Sequence, residues 1–334
     1  MKKINLLKPM LFAFLAFATL SCDDDETGVP QSNTIAAIAQ RSPDLSILVQ
    51  ALVKADLVSV LNGTDDYTVF APTNAAFTAF LTANNIPSLD DVPVPVLREI
   101  LLNHVVVGTQ LGADLPEAGY IKTLAKGSAS STNMLNMYVN KSAGVRLNGV
   151  SSVTTPNISA SNGVIHIVDA VIGLPTVVTF ATADANFATL TAALTTLTPA
   201  TDFAAILSRT NGNNVDGINP PFTVFAPTNM AFADLDAELA PGGIASLSEA
   251  LLTTTLLYHV AGGANVLSSA LTANGVTQVT TLQGTSFNIT LPGTGGNIAN
   301  VTDGAGRGSG IIAVDVQAAN GVIHVVNKVL LAGS

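Results

Sequence analysis

Charge is what this sequence most lacks. Only 11% of its 334 residues are Asp, Glu, Lys or Arg, against about 25% in an ordinary soluble domain, so its surfaces must be covered by small polar side chains. Cations are fewest, 13 Lys and Arg against 23 Asp and Glu for a net charge of −10. Phosphate backbones are held by clustered cations, so a nucleic-acid partner is excluded. There is one cysteine, hence no intramolecular disulfide. There is no Trp and there are only 4 Tyr, which leaves few rings on which a sugar could stack. After residue 22 no apolar run is long enough to cross a bilayer. Motifs of the GxSxG, Walker A, GxGxxG and HExxH kinds are all missing, so the sequence offers no catalytic signature and no zinc-binding spacing.

The amino terminus reads as an export signal. Lys2, Lys3 and Lys8 precede an apolar run from Met10 to Leu20, too short for a membrane span and suited to a signal peptide. Ser21 and Cys22 follow, an arrangement that resembles the lipobox of bacterial lipoproteins, although Leu20 stands one position nearer the cysteine than the usual pattern has it. Residues 1–22 are therefore expected to be a lipoprotein signal with Cys22 as the lipidation site. Residues 23–33 open with Asp23, Asp24, Asp25 and Glu26, a self-repelling, extended tether that also resembles the surface-export signals of Bacteroidetes-type lipoproteins.

The rest of the chain repeats itself. "TVFAPTNAAF" begins at Thr68 and "TVFAPTNMAF" at Thr223, 155 positions later. Apolar helices ending near His104 and His259 repeat at the same spacing. Each half closes on nearly the same text, "NGVIHIVDAVI" with His166 and "NGVIHVVNKVL" with His324. Thr68–Phe70 reads as a strand broken by Ala71 and Pro72, after which Thr73 or Asn74 accepts a backbone N–H to start a helix pinned by Phe77. Thr228 and Asn229 are the second-half equivalents. Ser42 with Pro43, and Ser246 with Glu249, read as helix starts. Asn162-Gly163 reads as a turn before a strand apolar on both faces, as a central strand should be. "PGTGGNIAN" and "DGAGRGSG" read as long exposed loops. All four histidines fall in apolar surroundings, where a neutral imidazole bridges backbone groups. They are expected to be structural, with no metal and no cofactor.

Taken together, "TVFAPTN" followed by Phe, a helix ending in Tyr-His, and a terminal "NGVIH" strand resemble the fasciclin domain family, in two copies expected over residues 34–174 and 177–332. The resemblance implies an α+β fold, each domain a twisted β-sandwich or wedge packed with a cluster of short helices. It implies a family of cell surfaces and extracellular matrix, active in adhesion and without a catalytic site. In that family a Tyr-His pair and an Asp-Ile pair are associated with adhesive binding. Here the second copy keeps Tyr258-His259 and has Asp315-Val316, whereas the first has Asn103-His104 and Asn157-Ile158, so candidate contacts are assigned to Tyr258, His259, Asp315 and Val316. The expected partner is a matrix or cell-surface protein or a glycan. The expected location is the bacterial outer membrane, surface-exposed and held by lipid alone; the periplasmic face or secretion is the alternative. The alternative function is binding of a small hydrophobic molecule or lipid. A join at Gly173–Thr176 predicts domains that melt at least partly independently.

Overall fold

The computed structural model describes residues 33–333; the leader, Cys22 and nearly all of the acidic tether lie outside them. The first half opens with helices α1 (Ile35–Arg41), α2 (Ser46–Lys54) and α3 (Val58–Leu61), followed by strand β1 (Tyr67–Pro72). Helices α4 (Asn74–Ala83) and α5 (Val94–Leu102) precede strands β2 (Val105–Val107), β3 (Ala118–Gly127), β4 (Ser130–Asn140), β5 (Arg146–Leu147), β6 (Ser151–Ala160) and β7 (Gly163–Val168). The second half repeats this order. Helices α6 (Val177–Ala183), α7 (Ala188–Thr195) and α8 (Phe203–Leu207) lead to β8 (Phe222–Pro227), then α9 (Asn229–Glu238) and α10 (Glu249–Leu257). Strands β9 (Val260–Gly262), β10 (Val276–Thr280), β11 (Ser286–Thr290), β12 (Ala299–Thr302), β13 (Gly308–Ala318) and β14 (Gly321–Val326) complete it.

Each half builds one mixed seven-stranded sheet, in the order β2-β1-β7-β6-β5-β4-β3 and β10-β11-β12-β13-β14-β8-β9. The strand of the decapeptide and the closing strand pair in parallel, Val69 opposite Ile165 and Val224 opposite Ile323. β7 lies between β1 and β6, which is why Val164 to Val168 is apolar on both faces. One face packs on the helices through Leu48, Leu52, Phe77 and Leu97; the other packs Phe70 on Met137, Val139 and Val168 of the sheet curling back on itself. This is the α+β wedge that the sequence predicts.

Local details differ from expectation where tertiary bonds outweigh sequence signals. Pro43–Leu45 forms a single 3-10 turn, and Ser42 makes no side-chain cap. Ser248, not Ser246, caps α10, because Ile244–Ser246 is taken up by a 3-10 turn; the Glu249 carboxylate accepts instead from the Ala200 N–H at 2.6 Å. β1 continues through Pro72, whose missing N–H costs nothing at the strand's end. "DGAGR" is a tight turn rather than a long loop. The buried Asp303 carboxylate gathers the N–H groups of Ala305, Arg307 and Leu331 at 3.1, 2.8 and 2.9 Å.

The two halves are joined by more than the segment 173–176. Tyr138 of β4 lies in the second half's helical core, and Tyr120 of β3 donates its hydroxyl to the buried Asp184 carboxylate at 2.9 Å. Tyr120 stacks obliquely on Tyr138 and edge-on to Phe180, with ring centroids 5.1 and 5.3 Å apart. Beside them the Gln317 N–H donates to Asn136 Oδ1 at 2.8 Å, and the Ala129 N–H to the Ala319 carbonyl at 2.9 Å. Buried aromatic and backbone contacts of this kind make a fixed interface rather than a hinge.

Candidate functional site

The residues repeated between the halves come together around the parallel strand pair. Thr73 and Thr228 cap α4 and α9, each hydroxyl accepting from an N–H three residues on, Ala76 or Ala231, at 3.2 Å. Asn74 and Asn229 point the other way. Their carbonyl oxygens accept from the Ile47 and Thr189 N–H groups at 2.8 and 2.9 Å, and their amides donate to the Pro43 and Ala185 carbonyls. The decapeptide is thus a corner tied on both sides, to its own helix and to the start of α2 or α7.

His104 and His259 stand just beyond α5 and α10. Each Nδ1 lies 2.8 Å from the carbonyl four residues back, Ile100 or Thr255, and each Nε2 accepts from a backbone N–H, Ile172 at 2.9 Å or Leu330 at 2.8 Å. An N–H can only donate, so Nε2 carries the lone pair and Nδ1 the proton. Burial pushes both imidazoles down to about 4, keeping them neutral. His166 and His324 use the opposite tautomer: Nε2–H donates to the Gln110 or Val266 carbonyl, at 3.0 and 2.8 Å. Each ring stacks on the Phe of its decapeptide, Phe70 or Phe225. His166 Nδ1 accepts from the Asn157 N–H at 3.2 Å, whereas His324 Nδ1 is buried without a partner. Burial lowers both.

Three of the four candidate contacts are buried and the fourth, Asp315, is half-buried. Tyr258 is 0% and His259 2% exposed, and Val316 is buried. The Tyr258 hydroxyl donates to the Ser286 carbonyl at 3.0 Å and accepts from the Gly304 N–H at 2.8 Å. Asn103, its first-half counterpart, likewise spends its amide on the Ile172 and Gly173 carbonyls. A Tyr or Asn after an apolar helix faces the core because the helix's buried stripe continues through it. Asp315 and Asn157 both occupy left-handed bulges, at φ 60° and 64°, a conformation Asn and Asp tolerate better than most residues. Asp315 accepts from the Ser268 N–H at 2.8 Å and from the Ser268 hydroxyl, and Asn157 from the Gly112 N–H at 2.8 Å. A partner cannot touch the Tyr258 or His259 side chain while the fold is closed.

Asn162 and Asn320 are anchors that the sequence shows only as turn residues. Beyond starting a turn, Asn162 accepts from the Ile35 N–H at 2.8 Å and donates to the Leu61 and Gly63 carbonyls, both at 3.0 Å. Asn320 does the same with Val177, Leu207 and Arg209. The signal available is the identical Asn before both closing strands. Among the described residues no three His, Cys, Asp or Glu side chains come together as a metal site.

One cavity stands out for its apolar walls. It measures about 70 Å³ and lies in the second half, between α6, α7, α8 and β8, bounded by Val178, Phe187, Leu190, Phe203 and Val224.

The fasciclin domain model matches this chain twice, over residues 43–175 and 186–332. An uncharacterized protein of Synechocystis is 36% identical over 138 residues, 41% of this chain and 96% of that protein. Immunogenic protein MPB70 of Mycobacterium bovis is 34% identical over 146 residues, 42% of this chain and 69% of that protein. Fasciclin-1 of Schistocerca americana is 31% identical over 129 residues, 36% of this chain and 18% of that protein. The solved FAS1 domain pair of the insect cell adhesion molecule fasciclin I aligns over 86% of this chain and 97% of that one, with a TM-score of 0.48 and 18% identity.

Proposed function

The chain belongs to the fasciclin domain family, and from that premise we propose that it is a non-catalytic adhesion protein, exported and anchored by lipid on Cys22 to the outer membrane. Its partner is a protein or glycan outside the cell. The observation that carries this reading is the match of the family model to both halves. The internal use of the repeated motifs supports it: all four histidines hydrogen-bond to backbone groups inside the fold. Tyr258 and Asp315 then serve binding indirectly, by fixing the backbone at Gly304 and Ser268 that meets the partner.

Adhesion is tested with the protein from residue 30 onward, immobilised and offered to whole cells, matrix proteins and a glycan panel. Retention on at least one of them is expected. No retention, with a small apolar molecule co-purifying, would replace adhesion by ligand binding, a second reading favoured by the apolar cavity under α6, α7 and α8. The anchor is tested separately. Cys22→Ala should move the protein from the detergent phase to the aqueous phase, since each buried methylene of the acyl chains contributes about 0.8 kcal/mol of membrane affinity. Identical partitioning of variant and parent would remove the lipid anchor.

A further inference from the structure

A second pocket, of about 380 Å³, opens at the seam between the two domains, where the β4–β5 loop faces the end of α6. The volume is within the range of small-molecule sites, roughly 300–1,000 Å³, but the walls are polar. Asn140, Ser142, Arg146 and Ser152 come from the first domain; Thr182 and Ala183 come from the second. Gly149 allows the close approach: its φ is +70°, and a β-carbon there would lie 3.2 Å from the Ala183 Cβ. The site is complete only when both domains are present.

Arg146 gives the pocket its chemistry. Its Nε and Nη2 donate to the Gly149 carbonyl at 2.9 and 2.6 Å, which fixes the plane of the guanidinium. The remaining N–H groups have no carboxylate partner among the described residues, although acids outnumber cations 23 to 13 in the chain. A planar fork held in place suits a carboxylate, which can take two parallel hydrogen bonds from it. Asn140 Oδ1 accepts from the Ser142 N–H at 2.8 Å, and its amide faces the Tyr138 hydroxyl, which also lines the pocket. The hydroxyls of Ser142 and Ser152 are committed to no protein group among the described residues. One cation among neutral side chains, with the Asp169 carboxylate held on the Ser152 N–H at 2.7 Å, matches a monoanion rich in hydroxyls better than a phosphate dianion.

We infer that this seam pocket binds an acidic saccharide of the hexuronic-acid class, its carboxylate on Arg146 and its hydroxyls on Asn140, Ser142 and Ser152. This rests on the adhesion reading and narrows its partner to a uronate-bearing glycan. With no exposed aromatic ring among the described residues as a platform, a single contact is weak and salt-sensitive.

The test follows backbone amide shifts of the protein from residue 30 at low salt. A hexuronic-acid monosaccharide, a uronate-terminated disaccharide, the corresponding neutral disaccharide and an Asp-Glu peptide are titrated in turn. Both uronates should shift signals of 140–152 together with Thr182 and Ala183, the neutral sugar at least 10-fold more weakly. Arg146→Gln should weaken uronate binding 10-fold or more, Arg146→Lys less, and Lys328→Gln not at all, with unchanged melting confirming that the variants fold. A stronger response to the disaccharide assigns the site to a glycan end, and an equal response to the free sugar acid; either supports the pocket. Equal shifts with the neutral sugar, no loss in Arg146→Gln, or tighter binding of the acidic peptide would overturn it. If Arg146→Gln still adheres to cells like the parent, the pocket fails as the adhesive site while adhesion stands. If uronates bind but no cell, matrix protein or glycan is retained, the pocket stands and adhesion fails.

Discussion

Replacing Tyr120 with Phe removes one hydroxyl and nothing else, and it tests whether the two domains unfold as one. The lost bond runs from a first-domain strand to the buried second-domain Asp184, at 2.9 Å. A hydrogen bond to a charged group contributes about 1.5–3 kcal/mol. Asp184 keeps its bond from the Asn186 N–H at 3.0 Å, and the Tyr138 hydroxyl, whose pKa burial and Asp184 both raise, stands close enough to take up part of the load. The loss should therefore lie near the lower end, about 1.5–2 kcal/mol. At roughly 1.5–2 °C per kcal/mol for a cooperative unit of about 300 residues, from an unfolding entropy of about 2.1 cal/mol/K per residue, Tm falls by roughly 2–4 °C. Scanning calorimetry of the protein from residue 30 should show a single transition before and after the change, displaced as a whole, because the bond belongs to both domains. Tyr67→Phe makes the same chemical change at a 3.4 Å contact with Asp65 inside the first domain and should stay within about 0.5 kcal/mol of the parent. Two resolved transitions, with Tyr120→Phe moving only one of them or neither, would refute the coupling.

Stability should also fall in acid. His104 and His259 have folded pKa values of about 4, below the ordinary value of 6.5, so the folded state resists their protonation. Their contribution is fully present above pH 6.5 and is lost as pH falls from there towards 4, on the order of 3 kcal/mol for each. Urea midpoints measured from pH 8 to 4.5 should drop accordingly, and His259→Gln should flatten the slope; a parallel slope in the variant would contradict the assignment. Gly163→Ala should prevent folding of the first domain, because the added methyl would sit 1.8 Å from the Tyr67 carbonyl oxygen of the paired strand. Gly144→Ala, with nothing within 4 Å and only its positive φ at stake, should cost about 1 kcal/mol; far-UV circular dichroism and protease resistance separate the two.

What is legible in the sequence is chemistry that acts over a few residues. Thr73 capping Ala76, and Phe77 buried one turn into the helix, need only local geometry, and the corner is readable because it appears twice. Asn162 shows the limit. As half of an Asn-Gly pair it reads as a turn, yet its side chain reaches Ile35, 127 positions away, and Leu61, 101 positions away. Tyr258 reads as a contact only through the family resemblance, which carries over a motif and not the direction its side chain takes. Its hydroxyl finds Ser286 and Gly304 only after β11 and the turn after β12 are in place. The glycines of "DGAGR" suggest an open loop because the ordering group, Asp303, acts through backbone N–H groups that any residue would supply.

The interface has no sequence signature, and it alters what the duplication achieves. Two modules on a flexible join gain from avidity, because each can search for its own contact once the other is bound. Tyr138 inside the second domain's core and Asn136 on the backbone of β13 prevent that search: the second domain is held at one orientation to the first. Fixed spacing makes the partner's geometry matter, since a repeating polymer can satisfy both domains only if its period matches theirs. It also creates a seam that neither copy has alone, and Arg146, fixed there on the Gly149 carbonyl, lines the pocket with no carboxylate partner among the described residues. Duplication therefore added a surface as well as a second copy, and the pair, rather than either domain, is the unit whose binding should be measured.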